Sequence, residues 1–584
     1  MPTVPSKPPH IHEFSLRSVA VGLVVAVIIG ASYPYVVLKF GFGPNISVVS
    51  AFFGFLALGL FSKSYNRWEN NIVQTAGTAA GQIAFLCWLL AAFDMLAAES
   101  GSGFDVHLTR TQTFLWLTAS GLLGVFLAVP LRKHFIEDEK LPFPDGIAAG
   151  ETLIMLDSRG PQARQSAFVM IGSLLASGLV FLGTQLKWFA DLITVSLNRF
   201  SALAGVGFGV SLLNIGTGII IGLRIVASML LGGAIAWIVA PVWLADHGYL
   251  AERARRVDVL LLVMWPAVGL LVAGGISALA LRWRVLLKTF RGLTGDAVSG
   301  DLPLRIVAIG SAACTVLLIT VQSFFFGTPV WHSVLAIAFS VPLSLVALRV
   351  LGETNWGPIS TMTNLMQALF GGIAPGDLRA SMVSSGITGA VAAESEGLMQ
   401  DYKVGYMIGS TPRILTYMQL LAVPVGALAL AWMYPMLRDT YGIIGEHAQL
   451  TSPTSQRWVG FAKVMTNQMA GTGTAGAPGL TVAWMQGSFA VGAVIGVVLT
   501  LLEQIKRLKS FVPSPTGVGI AMLIPFSAVT TMFAGAMGDW IWARAHHESH
   551  GRYSVPLASG LIAGEALVAV IIPLLVTAGL MAVP

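Results

Sequence analysis

Apolar runs long enough to cross a bilayer recur from one end of the chain to the other. Ser18–Leu38, Ala167–Leu182, Ile225–Leu244, Val257–Leu281, Ile306–Thr320, Ser333–Val350, Ile414–Met433, Val482–Leu502 and Leu557–Val583 are almost continuous series of aliphatic and aromatic side chains. About 20 such residues in a helix span the hydrocarbon core, and the longer runs leave room for tilt. Counting shorter and Gly-interrupted segments as well, the pattern predicts roughly 14 to 16 crossings at about one per 20 apolar residues. The expected fold class is an all-α polytopic membrane protein. Some segments carry glycine where a smooth helix would not, most clearly Ser201–Gly222 and Met469–Gly479. Small residues let helices approach closely, and a broken helix frees backbone groups that can line a cavity.

Composition narrows the class further. Of 584 residues, 55% are hydrophobic and 11% charged, whereas soluble domains carry about 25% charged residues. No region is polar and long enough for a soluble domain, so any chemistry belongs to the membrane part. The net charge of +6 does not indicate a nucleic-acid binder; the basic residues sit in short loops, as the positive-inside rule expects. Arg282–Arg305 and Glu503–Lys509 are read as cytoplasmic, with the N-terminus on the same side from Lys7 and Arg17. Residues 1–14 then form an N-terminal tail, 15–281 a first transmembrane half, 282–305 a basic cytoplasmic loop and 306–584 a second half. Cys87 and Cys314 fall inside apolar runs and read as small core residues. The first run continues into Tyr33–Lys39 and reads as a retained transmembrane helix. The expected location is the cell (inner) membrane, with multiple passes.

Short matches recur in the same order in the two halves. Gly43-Pro44 corresponds to Gly357-Pro358, PFPDG at Pro142–Gly146 to PSPTG at Pro513–Gly517, and TGIIIG at Thr217–Gly222 to SGLIAG at Ser559–Gly564. Gly- and Pro-interrupted segments at matching positions of an internal duplication point to a secondary transporter, whose site lies between the repeats. Parallel and inverted arrangements both stay open.

Two polar constellations interrupt the apolar runs. In Trp68–Leu90, Asn71, Thr75, Thr78 and Gln82 share one helix face, with Gln74 beside them. That face must look at other helices or at a wet cavity, because lipid cannot satisfy it. Interhelical bonding, at about 0.6 kcal/mol per bond, and binding of a peptide-like ligand by amides are both open. In Ser381–Lys403, Ser385 and Glu396 share a face, as do Glu394 and Asp401. Glu396, Gln400 and Lys403 form a third set, and Thr388 lies on the same helix. The carboxylates point in different directions, which suggests separate roles, one paired with Lys403 and one free to titrate. A carboxyl removed from water is harder to ionise, as a proton carrier near neutral pH requires; a static ion-pair network at the helix end is the competing account. His546, His547 and His550 with Glu548 carry metal-ligand chemistry. They sit in a polar loop, however, and adjacent histidines rarely face one site, so no metal and no cofactor are expected.

MQDYKVGYMIGSTPR at Met399–Arg413 resembles the Asp-x-Lys-Thr-Gly segment and following Thr-Pro pair of the oligopeptide transporter family, with Val404 in place of the threonine. That family of proton-coupled carriers includes the yellow stripe-like metal-chelate transporters. LPFPDGIAAGETL at Leu141–Leu153, GETNWGPISTMTNLMQALFGGIAPG at Gly352–Gly376 and ASGLIAGEAL at Ala558–Leu567 resemble further family motifs. N-I-V-Q-T, from Asn71 to Thr75, resembles another, although Gln82 stands where the family commonly has Glu. The signatures of the fungal and plant peptide branch are absent. Matches run from about residue 15 to 570.

The resemblance implies a proton-coupled importer of small peptides or peptide-like metal chelates, working by alternating access. Its substrate-binding candidates are Asn71, Gln74, Thr75, Thr78, Gln82, Ser385, Thr388, Lys403 and Arg413. Its proton-coupling candidates are Glu394, Glu396, Asp401 and Glu565. The expected partners are the peptide or chelate, protons and membrane lipid; no nucleic acid is expected, and a homodimer stays open. A channel and an intramembrane enzyme acting on a peptide-like or lipid substrate are the alternatives. An enzyme is disfavoured because His332, the histidine beside a long apolar run, has only its sequence neighbour Ser333 to act with, and neighbours in sequence do not face each other on a helix.

Overall fold

The structure, a computed structural model, describes residues 12–40, 46–61, 66–99, 104–157, 161–281, 301–444, 448, 450, 452–468, 476–505, 507–508 and 511–577. Among the described residues the fold is helical, apart from a two-stranded antiparallel ribbon that pairs Leu192–Thr194 with Gly207–Gly209. Among the described residues ten helical stretches are long and apolar enough to cross a membrane; Arg67–Ala97 and Arg110–Leu131 join eight of the nine expected from the longest apolar runs, and the helix His547–Thr577, which carries the described part of Leu557–Val583, is not among them. Two shorter apolar helices, Ile46–Gly59 and Leu212–Ile221, accompany them. The chain is a multi-pass integral membrane protein.

The helix Leu378–Ile408 is also long enough to cross, at 31 residues, but is too polar to be recognised by apolarity. Asp377 starts it by accepting from the Ala380 amide, and Gly409, with φ near 78°, ends it in the left-handed conformation. Nearly every side chain along it is buried. It is wrapped by the helices Arg67–Phe85, Arg110–Ala128, Pro144–Asp157, Val330–Thr354, Ile359–Ile373 and Pro412–Tyr441. Polar groups that lipid would leave unsatisfied are thereby turned towards protein.

Around this core, other helices pair through small residues. A Cβ added to Gly492 of the helix Val482–Glu503 would run into the Pro266 carbonyl, and one added to Gly269 of the helix Arg256–Leu281 would run into that of Phe489. The two backbones are therefore in mutual contact, the geometry small residues permit between membrane helices. The helices Leu212–Ile221 and His547–Thr577, which carry the matched TGIIIG and SGLIAG segments, likewise lie against one another.

The other matched motifs meet at a single break in the chain, between the helices Val330–Thr354 and Ile359–Ile373. Asn355 takes a left-handed conformation there, with φ near 60°. Its side chain clasps Asp145 of PFPDG, donating to the carboxylate at 2.8 Å and accepting from the Asp145 amide at 3.0 Å. The Phe143 amide donates to the Gly352 carbonyl at 3.0 Å. On the other side of the break, Ser514 of PSPTG donates to Glu353 at 3.3 Å, and Thr516 donates to the same carboxylate. Gly43 and Pro44 lie outside the described residues.

Replacing Gly492 by valine forces the two backbones apart and should destabilise the fold by about 1–3 kcal/mol, the usual range for overpacking. Gly487, on the same helix, has open space where a Cβ would go. Thermal unfolding of the detergent-purified variants checks this: Gly492→Val should lower the melting temperature clearly and Gly487→Val should not. Equal melting temperatures would contradict the close-contact account.

Candidate functional site

Asp401 is fully buried in the middle of the bundle. Gln74 donates to its Oδ1 at 2.6 Å and Gln419 to its Oδ2 at 2.9 Å. Gln74 also donates to the Thr78 hydroxyl at 2.9 Å, and Thr78 lies 3.1 Å from that of Ser47. One carboxylate thus joins three long helices: Leu378–Ile408, Arg67–Phe85 and Pro412–Tyr441. Nearby, Asn71 donates to Ser410 at 3.0 Å, Trp68 to the Ile408 carbonyl at 3.1 Å, and Tyr402 lies 2.6 Å from the Thr416 hydroxyl.

Glu394 and Glu396 leave the same helix on different sides. Glu394 is fully buried against Gly121 and Gly124 of the helix Arg110–Ala128, and among the described residues neither carboxyl oxygen has a hydrogen-bond partner. Glu396 is 3% exposed, lies against the Gly357 backbone, and its Oε1 is likewise unpartnered. An ionised carboxylate placed as Glu394 is would have no hydrogen bond to compensate it, which costs several kcal/mol.

Beside Glu396 lies a cavity of about 600 Å³, within the size range of small-molecule sites. First-half residues on its wall include Tyr33, Thr78, Gln82, Trp88, Asp145 and Arg256; second-half residues include Asn355, Trp356, Asn364, Glu396, Gln400 and Trp458. Five helices present first-turn residues to it: Ser47 of Ile46–Phe61, Asp145 of Pro144–Asp157, Arg256 of Arg256–Leu281, Ser360 of Ile359–Ile373 and Thr454 of Pro453–Gln468. Each start carries the partial positive charge of its helix dipole. Breaks in the helices therefore concentrate positive potential on a space that also holds two carboxylates.

The expected site residues divide between this wall and the surrounding packing. Thr78, Gln82 and Glu396 line the cavity, while Asn71, Gln74 and Thr75 are buried behind it. Ser385 donates to Met382 in its own helix and Thr388 lies 2.8 Å from Ser340, so both serve helix contacts. Lys403 pairs with neither carboxylate and donates to the Leu141 carbonyl at 2.9 Å. Arg413 is exposed and off the cavity wall. Glu565 accepts from Ser211 at 2.9 Å and from the Leu213 amide at 3.0 Å, capping the helix Leu212–Ile221. Among the described residues no cluster of three metal-binding side chains occurs; His550 lies 2.9 Å from Asp539.

Sequence reasoning missed Gln419, a lone amide inside the apolar run Ile414–Met433, which was itself a legible signal. It also missed Arg256, which marks the end of an apolar run and so reads as a loop cation.

A set of ion pairs joins the first half to the second and to the end of the 282–305 loop. Arg349 contacts Glu139 at 2.7 Å and Glu353 at 3.0 Å, and His134 lies 3.1 Å from Glu139. Arg132 holds Asp301 through two bonds of 2.6 and 2.9 Å, and Arg224 pairs with Glu503.

Comparison with known proteins agrees with this architecture. The family model for the OPT oligopeptide transporter protein matches residues 13–576, and the chain belongs to that family. A Haemophilus influenzae protein, placed by its name among oligopeptide transporters, is 24% identical over 611 residues, covering 93% of this chain and 92% of its own. A metal-nicotianamine transporter of Arabidopsis thaliana is 23% identical over 636 residues, covering 96% and 91%. The family and these relatives are transporters, so the enzyme alternative falls away.

In a background with Cys87 and Cys314 replaced by alanine, cysteine at Thr78, Gln82 or Asn364 should react with a small hydrophilic thiol reagent. Cysteine at Ser385 or Thr388 should resist it. Mass-spectrometric labelling of membrane vesicles decides, and the reverse pattern would place the water-filled space on the other side of the helix.

Proposed function

We propose that this chain imports small peptides or peptide-like metal chelates across the cell membrane by proton-coupled alternating access, with the cavity beside Glu396 as the ligand site. The observation that carries the reading is a space of ligand size between the two halves, walled by broken helices and backed by a buried helix bearing three carboxylates. Peptides and peptide-like chelates present carboxylates and amines, and both find complements there: helix starts, amides and Arg256 for the first, Glu396 and Asp145 for the second.

The buried carboxylates supply the coupling. A group whose charge its surroundings do not compensate is suited to take up a proton in one conformation and release it in another. Glu394 is placed for that task, and Asp401, held by two amides, links the same helix to its neighbours.

Sidedness follows from the basic loops. Leu281 leads into the stretch 282–305, which its basic residues assign to the cytoplasm, and Arg256 at the other end of that 26-residue helix then falls on the outer side. Asp301 and Glu503 adjoin the two basic stretches, and the ion pairs that hold them mark the inner side. On this reading the cavity is reached from the outer side, and the Asp145–Asn355 clasp and the Arg349 pairs stand on the path inwards.

Uptake of a panel of di- to hexapeptides and metal-loaded chelators into proteoliposomes tests the reading. At least one of Glu394→Gln, Glu396→Gln and Asp401→Asn should abolish stimulation by an inward proton gradient. Gradient-driven uptake surviving in all three variants would refute the coupling role. Counterflow in the unmodified protein separates a carrier from a channel, since only a carrier exchanges.

A further inference from the structure

Lys403 and Arg413 are absent from the cavity wall, and among the described lining residues the cation is Arg256. Its guanidinium is seated over the Trp237 ring, 5.0 Å from the centroid, so a fixed platform orients it at the start of its helix. A planar guanidinium suits a carboxylate because it donates two parallel bonds. The first turn of the helix Ile359–Ile373 supplies Ile359, Ser360 and Thr361 to the same cavity, and no side chain caps it. Amide groups there are open to a second acceptor.

Glu396 has the opposite character. It is nine-tenths buried, belongs to the cavity wall, and keeps Oε1 without a hydrogen-bond partner among the described residues. Gly357 lies close enough to its carboxylate that any side chain there would collide with it. A buried acceptor left unmatched among the described residues fits a donor brought by the ligand, and a ligand ammonium also answers its charge.

We infer that Arg256 receives a ligand carboxylate and Glu396 a ligand ammonium, so that the cavity selects zwitterions and fixes their direction. The inference rests on the cavity being the ligand site, as proposed above. It moves charge recognition away from Lys403 and Arg413 to two residues on opposite halves of the chain. A ligand that bridges them would tie the halves together.

The test uses full-length protein in nanodiscs and four probes: trialanine, trialanine amide, N-acetyl-trialanine and nickel–nicotianamine. Binding is read by thermal shift and by calorimetry, with the melting temperature of each unliganded variant as a folding control. The unmodified protein should bind trialanine more tightly than its amide or its acetylated form. In Arg256→Gln the preference for the free carboxylate should fall by about 10- to 150-fold, the range of one charge-assisted bond, and Arg256→Lys should restore part of it. In Glu396→Gln the preference for the free amine should fall while the carboxylate preference stays. If nickel–nicotianamine is the only probe that binds, Arg256→Gln should weaken it within the same range and Lys403→Gln should not. Binding with preferences untouched by either substitution, or binding without any preference, overturns this inference and leaves the cavity reading standing. Failure of all four probes to bind overturns both.

Discussion

A carboxylate in the centre of a membrane protein has to be answered by its neighbours, and Asp401 is answered by two amides. Gln74 and Gln419 reach it from different helices, one to each oxygen. Removing either would leave an acceptor unmatched in a dry place, a cost of about 1–3 kcal/mol and more for a charged group. This requirement explains why the helix Leu378–Ile408 sits inside the bundle. Its serines, threonines and acids could not face lipid, so other helices surround it.

The cavity arises from a second constraint, the need to interrupt helices without stranding their backbone groups. The break at Asn355–Pro358 is stabilised from both halves, by Asp145 on one side and by Ser514 and Thr516 acting on Glu353 on the other. Proline-rich motifs that look like punctuation in the sequence are the pieces that close around this break. Because helix starts surround the space, backbone dipoles add partial positive charge to that of the side chains at the wall. Arg349 pairs with both Glu139 and Glu353, and Glu353 stands two residues before Asn355. A change in the Asn355 clasp therefore reaches both the cavity and these ion pairs.

The membrane class was legible from apolar runs alone, because lipid enforces helix length and composition. The polar stripe from Asn71 to Gln82 was legible too, since its spacing is helical. What periodicity could not decide is which of its members face space and which face neighbours: Thr78 and Gln82 reach the cavity, whereas Asn71 and Gln74 serve contacts with Ser410 and Asp401. Lys403 misled for a related reason. Two residues from Asp401 in sequence, it points elsewhere on the helix and finds a carbonyl in the PFPDG segment. Glu565 stands in a family-like motif yet caps a helix, a role set by a tertiary contact with Ser211. Arg256 was hidden because an arginine at the edge of an apolar run usually marks an interface, and only the fold shows the ring of helix starts around it.

The account's central claim is that the buried carboxylates carry protons together with ligand. The most direct measurement is proton flux itself, followed with a pH-sensitive dye trapped in proteoliposomes while ligand is added outside at zero membrane potential. The account predicts acidification of the lumen that starts with uptake and keeps a fixed ratio to it. Uptake that proceeds at full rate with no change in luminal pH would contradict it.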